Sequence, residues 1–389
     1  MKKIYMNNAA TTWPKPSVVA DSVYRFMTEG GANAARGSAS ERDIKSLDIL
    51  FTARAGAAKL FGGYGGSNPK YVTLTANVTH SLNIVIKGFV KSGMRVVTSS
   101  IEHNSVLRPL REAQAGGAFI DVVQCSLHGY LDPAAVAEAT REKTDLVVIS
   151  HCSNVCGSVQ PIAEVAEICS RRGIPLVIDC AQTGGILPIE ASALGLAALC
   201  FTGHKGLFAP QGTGGIVWKP EFAEICSPLM EGGTGSLSHE ERQPSILPDK
   251  FEAGTPNLPG VAGFNAALEW LEKTGIDRIA ERESALGARL EDGLRGIKGL
   301  RLTGSGGAEE KRLPVYAFNI DGIDNGLLAN SLSCRYGVES RPGLHCSPLA
   351  HRTLGTFPEG ALRLSPGFFT TEEEIDFTIE ALKELAKEA

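Results

Sequence analysis

A cysteine in a short Gly/Pro loop is the first residue that could do chemistry. The loop reads RPGLHC and ends at Cys346, near the end of the chain. A thiol in this setting could be a nucleophile, a metal ligand, half of a disulfide or a small buried hydrophobic residue. A nucleophile requires an exposed, partly deprotonated thiol on a movable loop, which Pro342 and Gly343 permit.

Two other segments begin as apolar strands and end in polar residues. VIDCAQ contains Asp179 and Gln182, and FTGHKG contains Thr202, His204 and Lys205. An Asp at the end of a buried strand needs a cationic or hydrogen-bond-donating partner. A lysine between small residues is more often a surface charge than a point of covalent attachment. Taken separately, neither segment defines a reaction.

Together, these segments match the requirements of pyridoxal phosphate: a lysine for its aldehyde, a carboxylate for its pyridine nitrogen, and polar groups for its ring oxygen and phosphate. SSIEHNS adds His103 after another strand, where an imidazole could stack on a planar ring. ANVTHSLN opens a helix after Thr75, where Thr79 adds a hydroxyl, and helix N-termini bind phosphate through free N–H groups. The sequence therefore predicts a pyridoxal phosphate site.

Short β-rich runs alternate with helical patterns between about residues 70 and 220. The strand candidates are YVTLT (71–75), RVVTS (95–99), DLVVIS (145–150), IPLVID (174–179), LCFTG (199–203) and GGIVW (214–218). Continuous apolar strands separated by helices indicate an α/β fold with a parallel or mostly parallel sheet covered on both faces. Binding groups in such folds gather beyond the carboxyl ends of the strands.

The pattern changes after FEAGTPNLPG. Long helical patterns flank two strand candidates, VYAFNI (315–320) and ALRLS (361–365), and the final helix begins with a capping box formed by Thr371 and Glu374. We expect a large cofactor-binding domain over residues 16–255. Residues 1–15 and 256–389 are expected to form a smaller α+β domain that carries the Cys346 loop.

Composition narrows the class of protein. The chain has 389 residues, of which 43% are apolar, and its net charge of -5 comes from interspersed side chains, so we expect no nucleic-acid or membrane partner. Polar Asn7 and Asn8 interrupt any early signal-peptide pattern, and the apolar runs are shorter than a membrane span. We therefore expect a cytoplasmic protein, in which nine irregularly spaced cysteines are reduced thiols.

In order, NNAATT, SIEHNS, ISHCSNVCGSVQPI, VIDCAQ, TGHKG, FEAGTPN and RPGLHC make the chain resemble a cysteine desulfurase of the class V aminotransferase family, nearly end to end. The resemblance implies the fold of type I pyridoxal-phosphate-dependent transferases. It also implies a cytoplasmic homodimer with active sites at the subunit interface. Such an enzyme takes sulfur from L-cysteine, leaves L-alanine and passes the sulfur to an acceptor.

The resemblance also implies roles for individual residues. Cofactor contacts are implied for Lys205 (covalent attachment), Asp179 (pyridine nitrogen), Gln182 (ring oxygen), His103 (ring stacking), and Val78, Thr79, Thr202 and His204 (phosphate), with Thr255 reaching the phosphate of the neighbouring subunit. Substrate-carboxylate contacts are implied for Asn154 and Arg363, with Arg36 in NAARG as a further substrate-binding residue. Cys346 is implied to accept the sulfur.

The chain departs from the family pattern at a few positions. Leu344 stands where related loops often carry a second histidine, and Pro342 replaces a common alanine. His80 stands where relatives frequently have Glu, which changes hydrogen bonding at the cofactor's edge. Cys152 and Cys156 add thiols around Asn154 and are interpreted as small buried residues.

Two alternatives stay open. His151, Cys152 and Cys156 could bind zinc together with His345 and Cys346, although the paired C-x2-C spacing is missing. Selenocysteine lyase, cysteine sulfinate lyase and cysteine β-lyase could use the same scaffold, with L-selenocysteine as substrate in the first case. Cys346 separates them from a desulfurase, because β-elimination or a selenium-only reaction could proceed without it. Iron–sulfur cluster assembly, tRNA thiolation and sulfide supply would all use the same active site.

Overall fold

The computed structural model describes residues 3–34, 40–304 and 311–388. Its strands are β1 (Ile4–Tyr5), β2 (Val72–Thr75), β3 (Arg95–Ser99), β4 (Phe119–Val123), β5 (Leu146–Ser150), β6 (Leu176–Asp179), β7 (Ala198–Thr202), β8 (Gly214–Trp218), β9 (Leu300–Leu302), β10 (Tyr316–Ile320), β11 (Val338–Glu339) and β12 (Leu362–Leu364). Its α-helices are α1 (Ser17–Arg25), α2 (Glu41–Leu60), α3 (Tyr64–Ser67), α4 (Val78–Phe89), α5 (Asn104–Ala115), α6 (Pro133–Ala139), α7 (Ile162–Arg172), α8 (Pro220–Ile225), α9 (Leu258–Thr274), α10 (Ile276–Arg295), α11 (Asn325–Ser331), α12 (Pro348–Thr353) and α13 (Glu372–Ala386).

A seven-stranded sheet, in the order β2-β8-β7-β6-β5-β3-β4, forms the centre of the fold. Strand β8 runs antiparallel to both of its neighbours, and the other strands pair in parallel. The predicted α/β fold with a mostly parallel sheet is therefore confirmed. The six strand segments predicted between residues 70 and 220 coincide with β2, β3, β5, β6, β7 and β8 to within two residues at each end.

Both faces of this sheet are covered. In β5, Val147 and Ile149 belong to the hydrophobic cluster that includes residues of α2, α7 and α9. Leu146 and Val148 point the other way, into the cluster that includes residues of α4, α5 and α8. Because successive side chains of a strand alternate between faces, burial on both sides requires the continuous apolar run that the sequence shows.

The parallel strands bring polar residues to one edge of the sheet. Asp179 is the last residue of β6 and Thr202 the last residue of β7, while His103 follows β3 and Asn154 follows β5. Strands β3, β5, β6 and β7 are mutually parallel, so their carboxyl ends lie side by side. The fold thus gathers at this edge the residues that the sequence singled out, as expected for sheets of this type.

A second sheet has the order β12-β10-β9 and is antiparallel. With α10 and α13 it surrounds a separate hydrophobic cluster, which the N-terminal residues Ile4 and Met6 also join. Ile4 reaches this cluster because β1 pairs in parallel with β11. The capping box predicted at the start of the last helix is confirmed, since Thr371 and Glu374 each bond to the other's backbone N–H.

Strand β4, the three-residue strand β9 and the two-residue strands β1 and β11 were not predicted from the sequence. Strand β4 lies at the edge of the large sheet and is only partly buried: Phe119 is exposed and Asp121 pairs with Arg95. It therefore lacks the continuous apolar run of the inner strands. Within the described ranges, every helix is too short or too polar to cross a membrane.

Glu283 of α10 gives the fold a pH dependence. Burial raises the pKa of this carboxyl group to about 8, although the backbone N–H of Phe368 donates to it. In the unfolded chain the Glu283 carboxyl has the ordinary pKa of 4.5. The contribution of Glu283 to the free energy of unfolding is therefore fully present below pH 4.5, and it is lost as the pH rises to about 8. We expect Glu283→Gln to match the wild type near pH 4 and to be more stable by a few kcal/mol at pH 9. Urea unfolding at both pH values tests this, and Glu281→Gln, exposed on the same helix, should show no such divergence.

Candidate active site

Lys205 and Asp179 form the base of the candidate active site. Burial, together with the cations Arg363 and Arg341, lowers the pKa of Lys205 to about 8, and the charge of Asp179 opposes the change. Burial likewise raises the pKa of Asp179, while the Ala181 N–H, donating to Oδ1 at 2.8 Å, and the charge of Lys205 favour the ionised form. An amine that loses its proton readily, facing a buried carboxylate, can attack an aldehyde.

The residues predicted to hold a phosphate surround the start of α4. The Asn77 side chain caps this helix by accepting the N–H of His80 at 2.9 Å, and the N–H groups of Val78 and Thr79 in the first turn have no intrahelical acceptor. Thr202 Oγ1 and His204 Nδ1 are buried and have no hydrogen-bond partner in the described part of the chain. Buried polar atoms are nearly always paired, so these two atoms fit an anion that completes their bonding.

Thr202 tests this fit. We expect Thr202→Val to weaken pyridoxal phosphate binding by about tenfold or more, because a hydrogen bond to a charged group is lost. The stability of the cofactor-free protein should not fall, since the hydroxyl has no other described partner. Thr98 on β3 is a matched control: its hydroxyl donates to the Val148 carbonyl at 2.8 Å. Thr98→Val should therefore lower the unfolding free energy by about 1 kcal/mol and leave the cofactor dissociation constant unchanged. Equal effects of the two substitutions on binding would contradict the assignment.

Gln182 and His103 lie near the expected cofactor ring. Gln182 Nε2 donates to the Ala9 carbonyl at 3.1 Å, which ties the N-terminal segment to the site. His103 caps α5, and its Nδ1 accepts the N–H of Ser105 at 3.1 Å, so Nε2 carries the ring proton. Burial and nearby cations lower the pKa of His103 to about 3. The imidazole is therefore neutral and able to stack on a planar ring.

Cys346 is exposed and lies beside His103. Its carbonyl accepts the N–H of Asn104 at 2.8 Å, which fixes the loop at the N-terminus of α5. Arg341 Nη2 lies 3.8 Å from the sulfur. All nine cysteines are unpaired, and Cys334 is the other exposed one. Cys346 therefore has the exposure that a nucleophilic thiol requires.

The loop holds Cys346 in an uncommon conformation. His345 and Cys346 have φ values of 52° and 58°, a region that costs a non-glycine residue about 1–2 kcal/mol. A buried chain of hydrogen bonds holds His345: its Nε2 is 3.0 Å from the Arg341 carbonyl and its Nδ1 is 3.1 Å from His351 Nε2. A carbonyl only accepts, so His345 donates from Nε2, His351 donates to His345, and Thr356 donates to His351 Nδ1 at 2.7 Å. Burial lowers the pKa values of His345 and His351 to about 3 and about 4, which keeps the chain neutral.

Arg363 and Asn154 form one network with the cysteine loop. Arg363 donates to the Asn154 carbonyl at 2.8 Å and to Asn7 Oδ1 at 3.0 Å, while its buried Nε has no partner in the described residues. The Asn154 amide donates to the His345 carbonyl at 2.8 Å. Burial and the charge of Arg341 lower the pKa of Arg363 to about 9. A carboxylate beside Arg363 would accept a hydrogen bond from the unpaired Nε and raise the pKa of the guanidinium.

One predicted site residue, Thr255, is not part of this cluster. Thr255 is exposed in the loop before α9, where it lines a cavity of about 280 Å³ that also includes Ala76 and His80. His80 Nε2 is buried without a described partner, consistent with altered bonding at this edge. Arg36 lies outside the described residues.

Sequence reasoning missed two residues of the site. Arg341 opens the RPGLHC loop and pairs in backbone with Arg363, which brings two guanidinium groups to the same place. Glu102, in the SIEHN segment, is fully buried and accepts from the Ser99 and Ser150 hydroxyls and the Ser150 N–H. Burial raises the pKa of Glu102 to about 7. Both residues could have been identified from the sequence, because Arg341 lies in the RPGLHC segment and Glu102 lies in the SIEHNS segment.

The zinc alternative has no support in the geometry. Across residues 3–34, 40–304 and 311–388, no group of three or more His, Cys, Asp or Glu side chains is placed to hold a metal ion. Cys152 and Cys156 are buried, and Cys152 donates to the Gly157 carbonyl. His151 bonds instead to the Thr183 hydroxyl at 2.9 Å.

The mostly parallel sheet, with a buried lysine, a buried carboxylate and unpaired polar atoms at its edge, is the arrangement of a pyridoxal-phosphate-dependent enzyme of fold type I. A solved structure that is similar along the whole chain supports this: the apo structure of a cysteine desulfurase from Thermococcus onnurineus NA1 has a TM-score of 0.92 and 26% identity, covering 100% of this chain and 95% of that one. The aminotransferase class-V model matches residues 4–377, and the chain belongs to this family.

Curated relatives are similar over nearly the whole chain. A probable cysteine desulfurase of Methanothermobacter thermautotrophicus is 30% identical, covering 98% of this chain and 94% of the relative. A probable cysteine desulfurase of Xylella fastidiosa (strain Temecula1) is 32% identical, with 99% and 91% covered. The predicted family, fold type and cofactor are thereby confirmed.

Proposed function

We propose that the protein is a cysteine desulfurase that converts L-cysteine into L-alanine and leaves a persulfide on Cys346. The observation that carries this proposal is an exposed thiol, 3.8 Å from an arginine, on a loop fixed beside His103 at the edge where Lys205 and Asp179 lie. The cysteine desulfurases among its relatives support it.

Each polar residue of the site has a proposed task. Val78 and Thr79 would bind the cofactor phosphate with Thr202 and His204, and Gln182 would bind the ring oxygen. Asp179 would hold a proton on the pyridine nitrogen, since the Ala181 N–H and the charge of Lys205 favour its ionised form. Arg363 and Asn154 would hold the substrate carboxylate, with Arg36 as a further proposed substrate-binding residue.

When bound, pyridoxal phosphate supplies an electron sink for the substrate's α-carbon. Lys205 takes the α-proton, and its lowered pKa allows the neutral amine to do so. The Cys346 thiolate attacks the substrate sulfur, so an S–S bond forms as the C–S bond of the substrate breaks. L-Alanine is complete once the β-carbon has taken up the proton that the Cys346 thiol released on ionising and Lys205 has returned the α-proton.

We propose that two copies of the chain form a homodimer. Several large apolar side chains near the N-terminal helices are exposed in the single chain: Tyr24 is 66% exposed, Met27 69% and Phe51 59%. Apolar surface of this kind is typical of an interface. The exposed position of Thr255 suits a contact with the partner's phosphate.

We also propose a division into a large domain, residues 16–255, and a smaller domain, residues 1–15 and 256–389. Helix α9 packs on the large sheet and leads into the smaller domain.

We further propose a cytoplasmic location, which suits nine unpaired cysteines. The persulfide would pass to an acceptor that serves iron–sulfur cluster assembly or another sulfur-using pathway. Selenocysteine lyase, cysteine sulfinate lyase and cysteine β-lyase are the alternatives on this scaffold. Exposure of Cys346 favours the desulfurase, because those reactions do not need that thiol.

Product analysis without added thiol tests the function. We expect the holoenzyme and L-cysteine to give one alanine per protomer in a first turnover, together with one additional sulfur atom that peptide mass analysis places on Cys346. Pyruvate and free sulfide in place of alanine and persulfide would indicate a β-lyase. Alanine formed from L-selenocysteine alone would indicate a selenocysteine lyase.

A further inference from the structure

A groove lies between α4 and α5 and leads away from Cys346. Its walls include Thr79, Asn83 and Lys87 of α4 and Ser105, Arg108 and Glu112 of α5, with His103 and Cys346 at one end, and its volume is about 440 Å³. We call it the α4–α5 groove. Residues three or four apart lie on one face of a helix, so each helix presents one continuous face to the groove.

Cys346 lies at the end where both helices begin. Each helix follows a strand, β2 or β3, and these two strands run in the same direction, so α4 and α5 both start at the edge of the sheet that carries the active site. The bond from Asn104 N–H to the Cys346 carbonyl fixes the thiol there. Eight residues of helix rise about 12 Å, so the groove extends about that distance to Lys87 and Glu112.

The groove is biased toward anions. Lys87 and Arg108 are exposed, and neither forms a salt bridge with any residue of the described ranges. Glu112 is the acidic residue among those lining it. At its inner end, Arg341 lies 3.8 Å from the thiol, and the positive ends of two helix dipoles add to this field. The charges that lower the pKa of His103, namely Lys205, Arg341, Arg363 and Arg108, are all cationic.

We propose that the α4–α5 groove binds the sulfur acceptor and selects a small thiol that carries carboxylates. Its thiolate would meet Cys346 while its carboxylates reach Arg108, one turn along the groove, and Lys87, two turns along. This inference rests on the proposed function. It extends that function by giving the acceptor a binding site and a charge.

The transfer is a thiol–disulfide exchange. The acceptor thiolate attacks the outer sulfur of the Cys346 persulfide, a new S–S bond forms, and the bond between the two sulfurs of the persulfide breaks. Cys346 leaves as a thiolate beside the Arg341 guanidinium, and the acceptor carries the persulfide away with its proton. No additional oxidant or reductant is required.

Exchange with disulfides tests the groove without any desulfurase turnover. In the holoenzyme with Cys334→Ser, which removes the other exposed thiol, the Cys346 thiolate would attack glutathione disulfide, an anionic probe, or 2-hydroxyethyl disulfide, a neutral one. Mass spectrometry gives the rate of mixed-disulfide formation for each probe. We expect the ratio of anionic to neutral rates to fall about tenfold or more in Lys87→Gln/Arg108→Gln, and to fall with added salt in the parent.

Arg111→Gln is the matched control. Arg111 lies on α5 outside the groove and bonds to Gln114 at 2.7 Å, so its loss should leave the ratio unchanged. An equal drop with Arg111→Gln, or no drop in the double variant, would overturn the groove assignment. The neutral probe reports whether each variant still presents a folded, reactive Cys346 loop.

The same variants are then tested for sulfur transfer. Enzyme loaded with L-cysteine is mixed with glutathione or 2-mercaptoethanol, and the loss of persulfide is followed. In the parent, we expect glutathione to remove the persulfide faster than 2-mercaptoethanol does. In the double variant this difference in rate should disappear, while the initial yield of alanine stays unchanged. A protein that forms no persulfide refutes the proposed function, and the disulfide ratios still decide whether the groove selects anions.

Discussion

Replacing Cys346 by alanine is expected to reduce the formation of alanine and sulfide from L-cysteine by about 10³-fold or more. The thiol is the group that would take the sulfur, and no other described cysteine is both exposed and placed at the site. Cofactor binding should persist, because the residues predicted to hold the phosphate and ring lie on α4 and beyond β3, β6 and β7. Visible absorption of the cofactor and the yields of alanine and sulfide, measured with a reducing thiol present, check both statements.

Cys334 is the control for this substitution. It is equally unpaired and exposed but lies in the segment after α11, away from the cofactor-binding edge, so Cys334→Ala should retain full activity. If Cys346→Ala keeps its activity, or yields pyruvate in place of alanine, the persulfide mechanism is wrong. A lyase on the same scaffold then becomes the better description.

The sequence predicted the central sheet because its strands are buried on both faces. Such strands must be apolar throughout, as in LVVIS and LVID, and their ends are then marked by the first polar residues. Asp179 and Thr202 are the last residues of their strands. A polar residue at that position is visible in the sequence and has a geometric meaning, because parallel strands share one carboxyl edge.

The surroundings of Cys346 were harder to predict. They depend on contacts between distant parts of the chain, such as the Arg341–Arg363 backbone pair and the bond from Asn154 to the His345 carbonyl. Local sequence rules carry no information on these contacts. In the sequence, His351 has no feature that distinguishes it from other helix residues. The fold places its Nε2 3.1 Å from His345 Nδ1.

Positive φ values at two consecutive non-glycine residues could not be predicted from the sequence either. Gly343 marks the loop as a turn, but nothing in RPGLHC shows that His345 and Cys346 take left-handed conformations. That strain is maintained by the hydrogen bonds made around it. The proposed contact of Thr255 with a second copy of the chain could not be derived from local sequence rules for a related reason, because it depends on a partner surface.

Arg363 is expected to produce the second large loss. It is buried, its guanidinium already donates to Asn154 and Asn7, and its Nε has no described partner, so a substrate carboxylate would complete its bonding. We expect Arg363→Lys to lower kcat/KM for L-cysteine by about 10²–10³-fold, mainly through KM, because lysine keeps the charge and loses the planar fork. Arg301→Gln is the control, since this arginine belongs to the same small sheet but pairs with Asp321 at the surface.

The split between kcat and KM separates binding from damage to the fold. Arg363 also supports the Asn154 carbonyl, so a purely structural defect would disturb the cysteine loop and lower the reactivity of Cys346 toward iodoacetamide. A carboxylate-binding role predicts that this reactivity is retained in Arg363→Lys. It also predicts that the affinity for cysteamine, which lacks the carboxylate, is nearly the same in the wild-type holoenzyme and in the variant holoenzyme. A cysteamine affinity that falls as far as the affinity for L-cysteine would show that Arg363 supports the loop and does not recognise the substrate.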